Sequence, residues 1–220
     1  MINRLHSLFY RPEKGWDPVS SEYAAGFAKG VLGSLDFPLL NELEGYLSGF
    51  EGKRILDLGA GPGQYSVAFA QRSAEVVWHD ISRNYMEIAR QQADAAGVGL
   101  SYSLGYLEDA KRFAKEPFDL VFCRLCWNYC FNDRSFARLI YSLVKPGGIG
   151  YVDTHTPGFQ QSRDKRKLVH FLNEVLGLKV GHIYPPSGRV EKLFERYPLD
   201  KMIPDYGIQD RERILFVKSR

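Results

Sequence analysis

From Lys53 onward, short β-branched or apolar runs alternate with stretches whose apolar residues recur at helical spacing. Few folds accept that alternation: it is the pattern of βαβ units assembling into a parallel sheet with helices on both faces, a doubly wound α/β fold. Arg54-Ile55-Leu56-Asp57-Leu58 reads as the first strand and Gly63 to Gln71 as its following helix, with Pro62 suited to the first helical turn. Glu75 to Asp80 is a second strand, and Ser82 is an N-cap for a helix that runs to about Ala96 and is ended by Gly97. Leu100 to Leu104 is a short third strand. Phe118 to Cys123, apolar apart from Asp119, suits a central strand covered on both faces. Ser135 to Val144 carries Phe136, Leu139, Ile140 and Leu143 at helical spacing and stops at Pro146-Gly147-Gly148, after which Ile149 to Thr154 reads as a fifth strand. Beyond it, Lys165 to Leu176 reads as helical, Leu178 to Tyr184 as extended and Ile214 to Val217 as a final strand.

A chain of 220 residues fits one such domain with an appended cap. Residues 1–50, rich in Tyr, Trp and Phe, form a separate helical region, with helices near Ser21 to Leu35 and Pro38 to Leu47. Residues 51–220 form the main domain, and the interval holding Pro185, Pro186, Pro198 and Pro204 reads as an insertion near 185–210. With 45% hydrophobic and 25% charged residues the chain is an ordinary globular one. A net charge of +3 is too small for a nucleic-acid footprint, and the basic run Arg163, Lys165, Arg166 and Lys167 reads as the solvated face of a helix. No apolar run approaches the roughly 18 residues of a membrane span, and Met1 to Arg11 lacks a signal-peptide core, so the expected location is cytoplasmic. Cys123, Cys126 and Cys130 crowd together with no second ligand pair at zinc-finger spacing, and read as small buried thiols; no metal is expected.

Asp57-Leu58-Gly59-Ala60-Gly61-Pro62-Gly63 lies between a strand and a helix, where missing Cβ atoms let backbone approach a ligand. Gln64 stands where a dinucleotide fingerprint places its third glycine, and no Lys followed by Ser or Thr makes a P-loop. Asp57 at the strand end repels a pyrophosphate and attracts an ammonium or sulfonium group. Asp80, closing the second strand, sits where a carboxylate accepts hydrogen bonds from ribose hydroxyls. The combination calls for a nucleoside without phosphate.

With these segments, and with Phe118 to Arg124 and Leu143-Val144-Lys145-Pro146-Gly147-Gly148 in order behind them, the chain resembles the class I S-adenosylmethionine-dependent methyltransferases, in particular their small-molecule branch, over roughly Lys53 to Thr154. The resemblance implies a mostly parallel seven-stranded sheet under an N-terminal helical lid, and S-adenosyl-L-methionine as cofactor. It places the methionine part over Gly59, Ala60, Gly61 and Gly63 with its ammonium near Asp57, the ribose on Asp80, and Ile81 on one adenine face. Leu107 meets the adenine edge through its backbone, and Cys123 and Arg124 line the methyl end. The aspartate that often follows Gly105 in the family is Tyr106 here, leaving stacking by Tyr106 or substitution by Glu108 or Asp109 open.

The sulfonium already makes the methyl electrophilic, so the protein's task is alignment and exclusion of water. His155, just past the fifth strand, is the candidate general base, with Asp153 able to orient it. Trp127, Asn128 and Tyr129 are candidate acceptor-pocket residues, joined by Tyr10, Trp16 and Tyr23 from the lid. Cys126-Trp127-Asn128-Tyr129 lacks the paired prolines of methyltransferases that act on bases of nucleic acids, so the expected acceptor is a small molecule, with oxygen slightly favoured over nitrogen. A non-catalytic S-adenosylmethionine sensor or partner subunit is the alternative, and the expected state is a monomer or homodimer.

Overall fold

The structure, a computed structural model, describes residues 5–113, 116–156, 168–169, 171–173, 175–176, 178, 180 and 184–220. In chain order come α1 (Leu5–Phe9), a single 3-10 turn (Pro12–Lys14), α2 (Ser21–Val31), α3 (Phe37–Leu47), β1 (Arg54–Leu58) and α4 (Gln64–Ala70). β2 (Glu75–Asp80), α5 (Arg83–Ala96), β3 (Ser101–Leu104), α6 (Ala110–Phe113) and β4 (Phe118–Arg124) follow. The chain ends through α7 (Asp133–Leu143), β5 (Val144–His155), α8 (Arg189–Phe194), β6 (Leu199–Asp205) and β7 (Arg211–Lys218).

Seven strands make one sheet in the order β3-β2-β1-β4-β5-β7-β6. The first five are parallel, and β7 runs antiparallel between β5 and β6. The strand order reverses between β1 and β4, which opens a crevice at their carboxyl ends, the place where open α/β sheets hold ligands. Local chemistry fixes the helices that flank it. The Ser82 hydroxyl accepts from the Tyr85 N–H to start α5, and Gly97, at φ 68°, ends it in the left-handed conformation a Cβ disfavours. Asp36 and Asn132 cap α3 and α7 in the same way.

The core lies on both faces of the sheet. On one, Leu40 and Leu43 of α3 and Phe69 of α4 pack on Phe50, Ile55 and Phe122; on the other, Phe136 and Ile140 of α7 and Phe194 of α8 pack on Trp127, Val152 and Phe216. Two expectations change. The second N-terminal helix is not part of a cap: Leu39, Leu40, Leu43 and Leu47 bury against the sheet, so α3 belongs to the main core. The interval 185–210, read as an insertion, holds α8 and the whole of β6. Its prolines hid the strand. Pro204 lies within β6, which is the outermost strand, where a missing N–H is tolerated. The readings over Lys165 to Leu176 and Leu178 to Tyr184, with the basic run at 163–167, fall largely outside the described residues; 168–169 and 171–173 are helical.

Gly150 in β5 faces the Phe216 ring of β7, and a Cβ built on it comes within 2.2 Å of that ring. Its backbone needs no unusual φ, so the demand for glycine there is purely one of space. Gly150→Ala is therefore expected to lower unfolding free energy by about 1–3 kcal/mol through overpacking, read from urea denaturation. Wild-type stability would mean that the ring does not pack there.

Candidate functional site

Each glycine of the β1–α4 turn has its own task. Gly59, Gly61 and Gly63 all have positive φ, at 75°, 53° and 86°. A Cβ on Gly59 would sit 2.5 Å from Cys126 Cβ, and one on Gly63 would sit 2.7 Å from Ala89 Cβ. Those two glycines make room for protein, letting the loop after β4 and helix α5 close on the turn. Of the three, Gly61 alone looks into open space. Ala60 is buried with Trp78, Met86 and Ala89 and holds the turn down.

Two carboxylates flank this turn. Asp80 accepts from the Gly61 N–H and the Ser82 N–H, both at 2.9 Å, and so ties the end of β2 to the loop and to the start of α5. Asp57 is buried and accepts from the Ser66 hydroxyl at 2.6 Å. Burial raises its carboxyl to about 7; the Ser66 bond opposes that rise, the nearby Asp80 adds to it, and Arg124 offsets only a small part. Asp80 is also raised by burial, against the pull of its backbone hydrogen bonds. The turn thus holds two desolvated acids side by side, an arrangement suited to a cationic, hydroxyl-rich ligand.

At the end of β3, Tyr106 is buried under the N-terminal segment. Its hydroxyl donates to the Tyr10 carbonyl at 2.6 Å and meets His6 Nδ1 at 2.9 Å, while Trp16 stacks on its ring at 6.3 Å and 16°. His79 supports it from below, with Nε2 2.9 Å from the Tyr106 carbonyl and Nδ1 2.8 Å from Ser103 Oγ. A carbonyl only accepts, so Nε2 carries the proton, and burial keeps the imidazole neutral by lowering its pKa. Glu108 is engaged by the Phe131 N–H at 2.7 Å, and the Leu107 side chain is in the core. Asp17 Oδ2 takes the Ser82 hydroxyl and the Asn84 N–H, a cap supplied to α5 from a residue 67 positions away. Ile81, half-buried, lies beside this junction.

The predicted acceptor residues divide. Tyr10 and Trp16 gather around Tyr106, at the β3 end of the crevice, whereas Tyr23 is exposed on α2 and stacked on Phe27, which leans on Tyr85. Trp127 is not a pocket residue: its ring is 1% exposed, between Phe136 and Phe194. Asn128 is buried and Tyr129 half exposed. Cys123 and Cys126 are buried free thiols with sulfurs 3.3 Å apart, and Cys126 Sγ donates to the Leu58 carbonyl at 3.0 Å, so Cys123 faces the core and its neighbour Arg124 faces the crevice edge. Arg124 lies over the Tyr65 ring at 5.1 Å, with Nε 3.4 Å from Asp153. His155 is exposed at the end of β5, near Tyr184. Asp153 does not serve it, because Arg211 grips both Asp153 oxygens through Nε at 3.0 Å and through Nη2.

Sequence reading missed His79, Asp17, Ser66 and Arg211. His79 had a signal, standing next to Asp80 on a strand, and Ser66 is nine positions past Asp57 on the following helix; Asp17 and Arg211 come from distant segments that only the fold brings together.

Residues 55–148 match a family described as a methyltransferase domain. The ubiquinone biosynthesis O-methyltransferase of Bordetella avium (strain 197N) is 32% identical over 139 residues, 63% of this chain and 55% of that one. The tRNA 5-carboxymethoxyuridine methyltransferase of Escherichia coli (strain K12) is 25% identical over 142 residues, 62% of this chain and 54% of that one. The chain thus spans about half the length of the curated relatives it matches. Among solved structures, an O-methyltransferase family protein from Burkholderia thailandensis shares the fold with a TM-score of 0.65 at 19% identity, over 91% of this chain and 60% of that one. Among the described residues no helix is long and apolar enough to cross a membrane, and no group of three or more His, Cys, Asp and Glu side chains is placed to hold a metal ion.

Asp17→Ala removes the cap that pins the N-terminal segment to α5. The expected result is a loss of about 1–2 kcal/mol of stability and faster amide exchange over residues 5–20. Unchanged exchange there would show that the aromatic contacts alone hold the segment.

Proposed function

We propose that the chain, whose residues 55–148 match a methyltransferase domain, is a class I S-adenosylmethionine-dependent methyltransferase that transfers the cofactor's methyl group to a small-molecule acceptor, with oxygen favoured over nitrogen as the nucleophile. Asp57 is the observation that carries this reading: a buried carboxylate at the mouth of a glycine turn, its carboxyl raised to about 7 by burial, with Arg124 offsetting only a small part. An ammonium group supplies a close positive partner, and a phosphate would add negative charge. S-adenosylmethionine, when bound, supplies a methyl already activated by sulfonium. The residues would divide the rest of the work. Asp57, steadied by Ser66, binds the amino group; Asp80, fixed by Gly61 and Ser82, takes ribose hydroxyls; Gly61 leaves backbone open to the ligand. Ile81 and Tyr106 border the adenine, Tyr106 through its ring, since its hydroxyl is committed to Tyr10. The N-terminal segment, held by Asp17, excludes water.

The oxygen acceptor is favoured by the relatives named as O-methyltransferases, and a small acceptor by the weak net charge of +3. His155 at the end of β5 is the proposed base for a hydroxyl nucleophile. It acts without a carboxylate orienter, because Asp153 is held by Arg211.

Asp80→Ala is expected to weaken S-adenosylhomocysteine binding by about 1–3 kcal/mol without unfolding the chain, whereas His155→Ala should lower turnover and spare that binding. Calorimetry and turnover with an acceptor panel read both, and unchanged affinity in Asp80→Ala would count against the reading. A pH titration probes Asp57 directly. The ionised form pairs with ammonium, and the free site titrates near 7, so pairing is complete above that pH and fails as pH falls through it. Affinity for S-adenosylhomocysteine should drop about tenfold per unit below pH 7, with proton release on binding, and Asp57→Asn should flatten the profile at low affinity. A wild-type profile flat between pH 5 and 8 would remove Asp57 from the site.

A further inference from the structure

At the carboxyl ends of β4 and β5 and the amino end of β7, three guanidinium groups surround one carboxylate. Arg211 occupies Asp153 bidentately, and Arg124 Nε and Arg213 Nε then approach the same Asp153 oxygen only to 3.4 and 3.8 Å. The other acids near Arg213 do not satisfy it. Asp36 lies 3.6 Å from its Nη2 and Asp205 3.9 Å from its Nη1, both beyond hydrogen-bond length, and each of those carboxylates gives an oxygen to a backbone N–H, Leu39 and Gly207 respectively. Beneath them Tyr151, 3% exposed and stacked on Phe122, lines a cavity of about 70 Å3 together with Arg213 and Asp205. Among the described residues, Tyr151 Oη, Arg124 Nε and Arg213 Nε are buried and meet no hydrogen-bond partner. Buried donors normally find an acceptor, and two guanidinium forks with a phenol at one strand edge match a planar oxyanion.

We propose that the acceptor carries a carboxylate, and that Arg213, Tyr151 and Arg124 form its subsite. The inference rests on the methyl-transfer reading and names the substrate class for it. The cofactor's own carboxylate does not reach Arg213 and Tyr151: it lies two bonds from an ammonium held by Asp57 on β1, whereas β5 and β7 stand two and three strand spacings away, roughly 10 and 14 Å. Arg124, on β4, stands one spacing from β1 and borders the subsite on the cofactor side. Asp36, Asp205 and Glu42 at the rim limit the site to a singly charged group, so a phosphate monoester is disfavoured.

The test measures S-adenosylhomocysteine binding first, then benzoate against benzamide on the S-adenosylhomocysteine-loaded protein, by calorimetry. Benzoate is expected to bind about tenfold or more tightly than its neutral isostere. Tyr151→Phe, which deletes a hydroxyl without a partner, and Arg213→Gln should each erase most of that preference while leaving the melting temperature and S-adenosylhomocysteine affinity near wild type. Equal binding of the two probes, no saturable benzoate binding, or an intact preference in both variants overturns the subsite. Loss of S-adenosylhomocysteine affinity in Arg213→Gln would assign the anion to the cofactor and overturn it as well. Failure of the wild type to bind S-adenosylhomocysteine would remove the methyl-transfer reading, and this subsite with it.

Discussion

Two acids with no base between them govern the β1–β2 end of this molecule. Parallel pairing of β1 with β2 brings Asp57 and Asp80 to adjacent strand ends, where both are desolvated and Asp80 raises the cost of ionising Asp57. The chain offsets this mainly with dipoles, the Gly61 and Ser82 N–H groups for Asp80 and the Ser66 hydroxyl for Asp57, and to a small extent with the Arg124 charge. Those bonds need the turn to be where it is, so the turn's left-handed glycines, the packing of Cys126 and Ala89 into the space they leave, and the start of α5 are all conditions for holding the pair. A site arranged in this way stores an unfavourable charge that a cation relieves, which is a physical basis for selecting a sulfonium amino acid over a dinucleotide.

The N-terminal segment is coupled to the same arrangement. Asp17 caps α5 through the Ser82 hydroxyl and the Asn84 N–H, while Ser82 also donates its backbone N–H to Asp80. One short stretch of chain therefore links the segment that covers the crevice to the carboxylate at its floor. Tyr106 makes a second link, its hydroxyl bound by Tyr10 and its carbonyl by the neutral His79. The N-terminal segment and the Asp80 turn are joined through hydrogen bonds, not through apolar packing alone.

The alternation of strands and helices was readable because each element is local: β1 to β5, the Ser82 and Gly97 boundaries of α5 and the stop of α7 all follow from residues within a few positions. What escaped was decided by tertiary position. Pro204 reads as a strand breaker until β6 is known to be an edge. Trp127 reads as a pocket residue until Phe136 and Phe194 enclose it. The glycine motif was legible as a turn, yet not which glycines make room for protein, since Cys126 and Ala89 are 67 and 26 positions away from Gly59 and Gly63. For the same reason Asp153 looked like a partner for His155: nothing nearby in the chain announces Arg211, which β7 delivers by antiparallel pairing.

That pairing also separates the two halves of the crevice. The β1, β2 and β3 ends, with their acids and aromatic cover, are assembled by parallel strands and their short βα turns. The β5 and β7 ends, with Arg211, Arg213 and Tyr151, depend on an antiparallel strand from the end of the domain. Asp153 sits at the seam and is reached by arginines from β4 and β7 alike. Residues on β7 and β6 can therefore change the charge and shape of one half without disturbing the turn that holds Asp57 and Asp80. The family match over residues 55–148 takes in the first half and ends within β5, before β6 and β7.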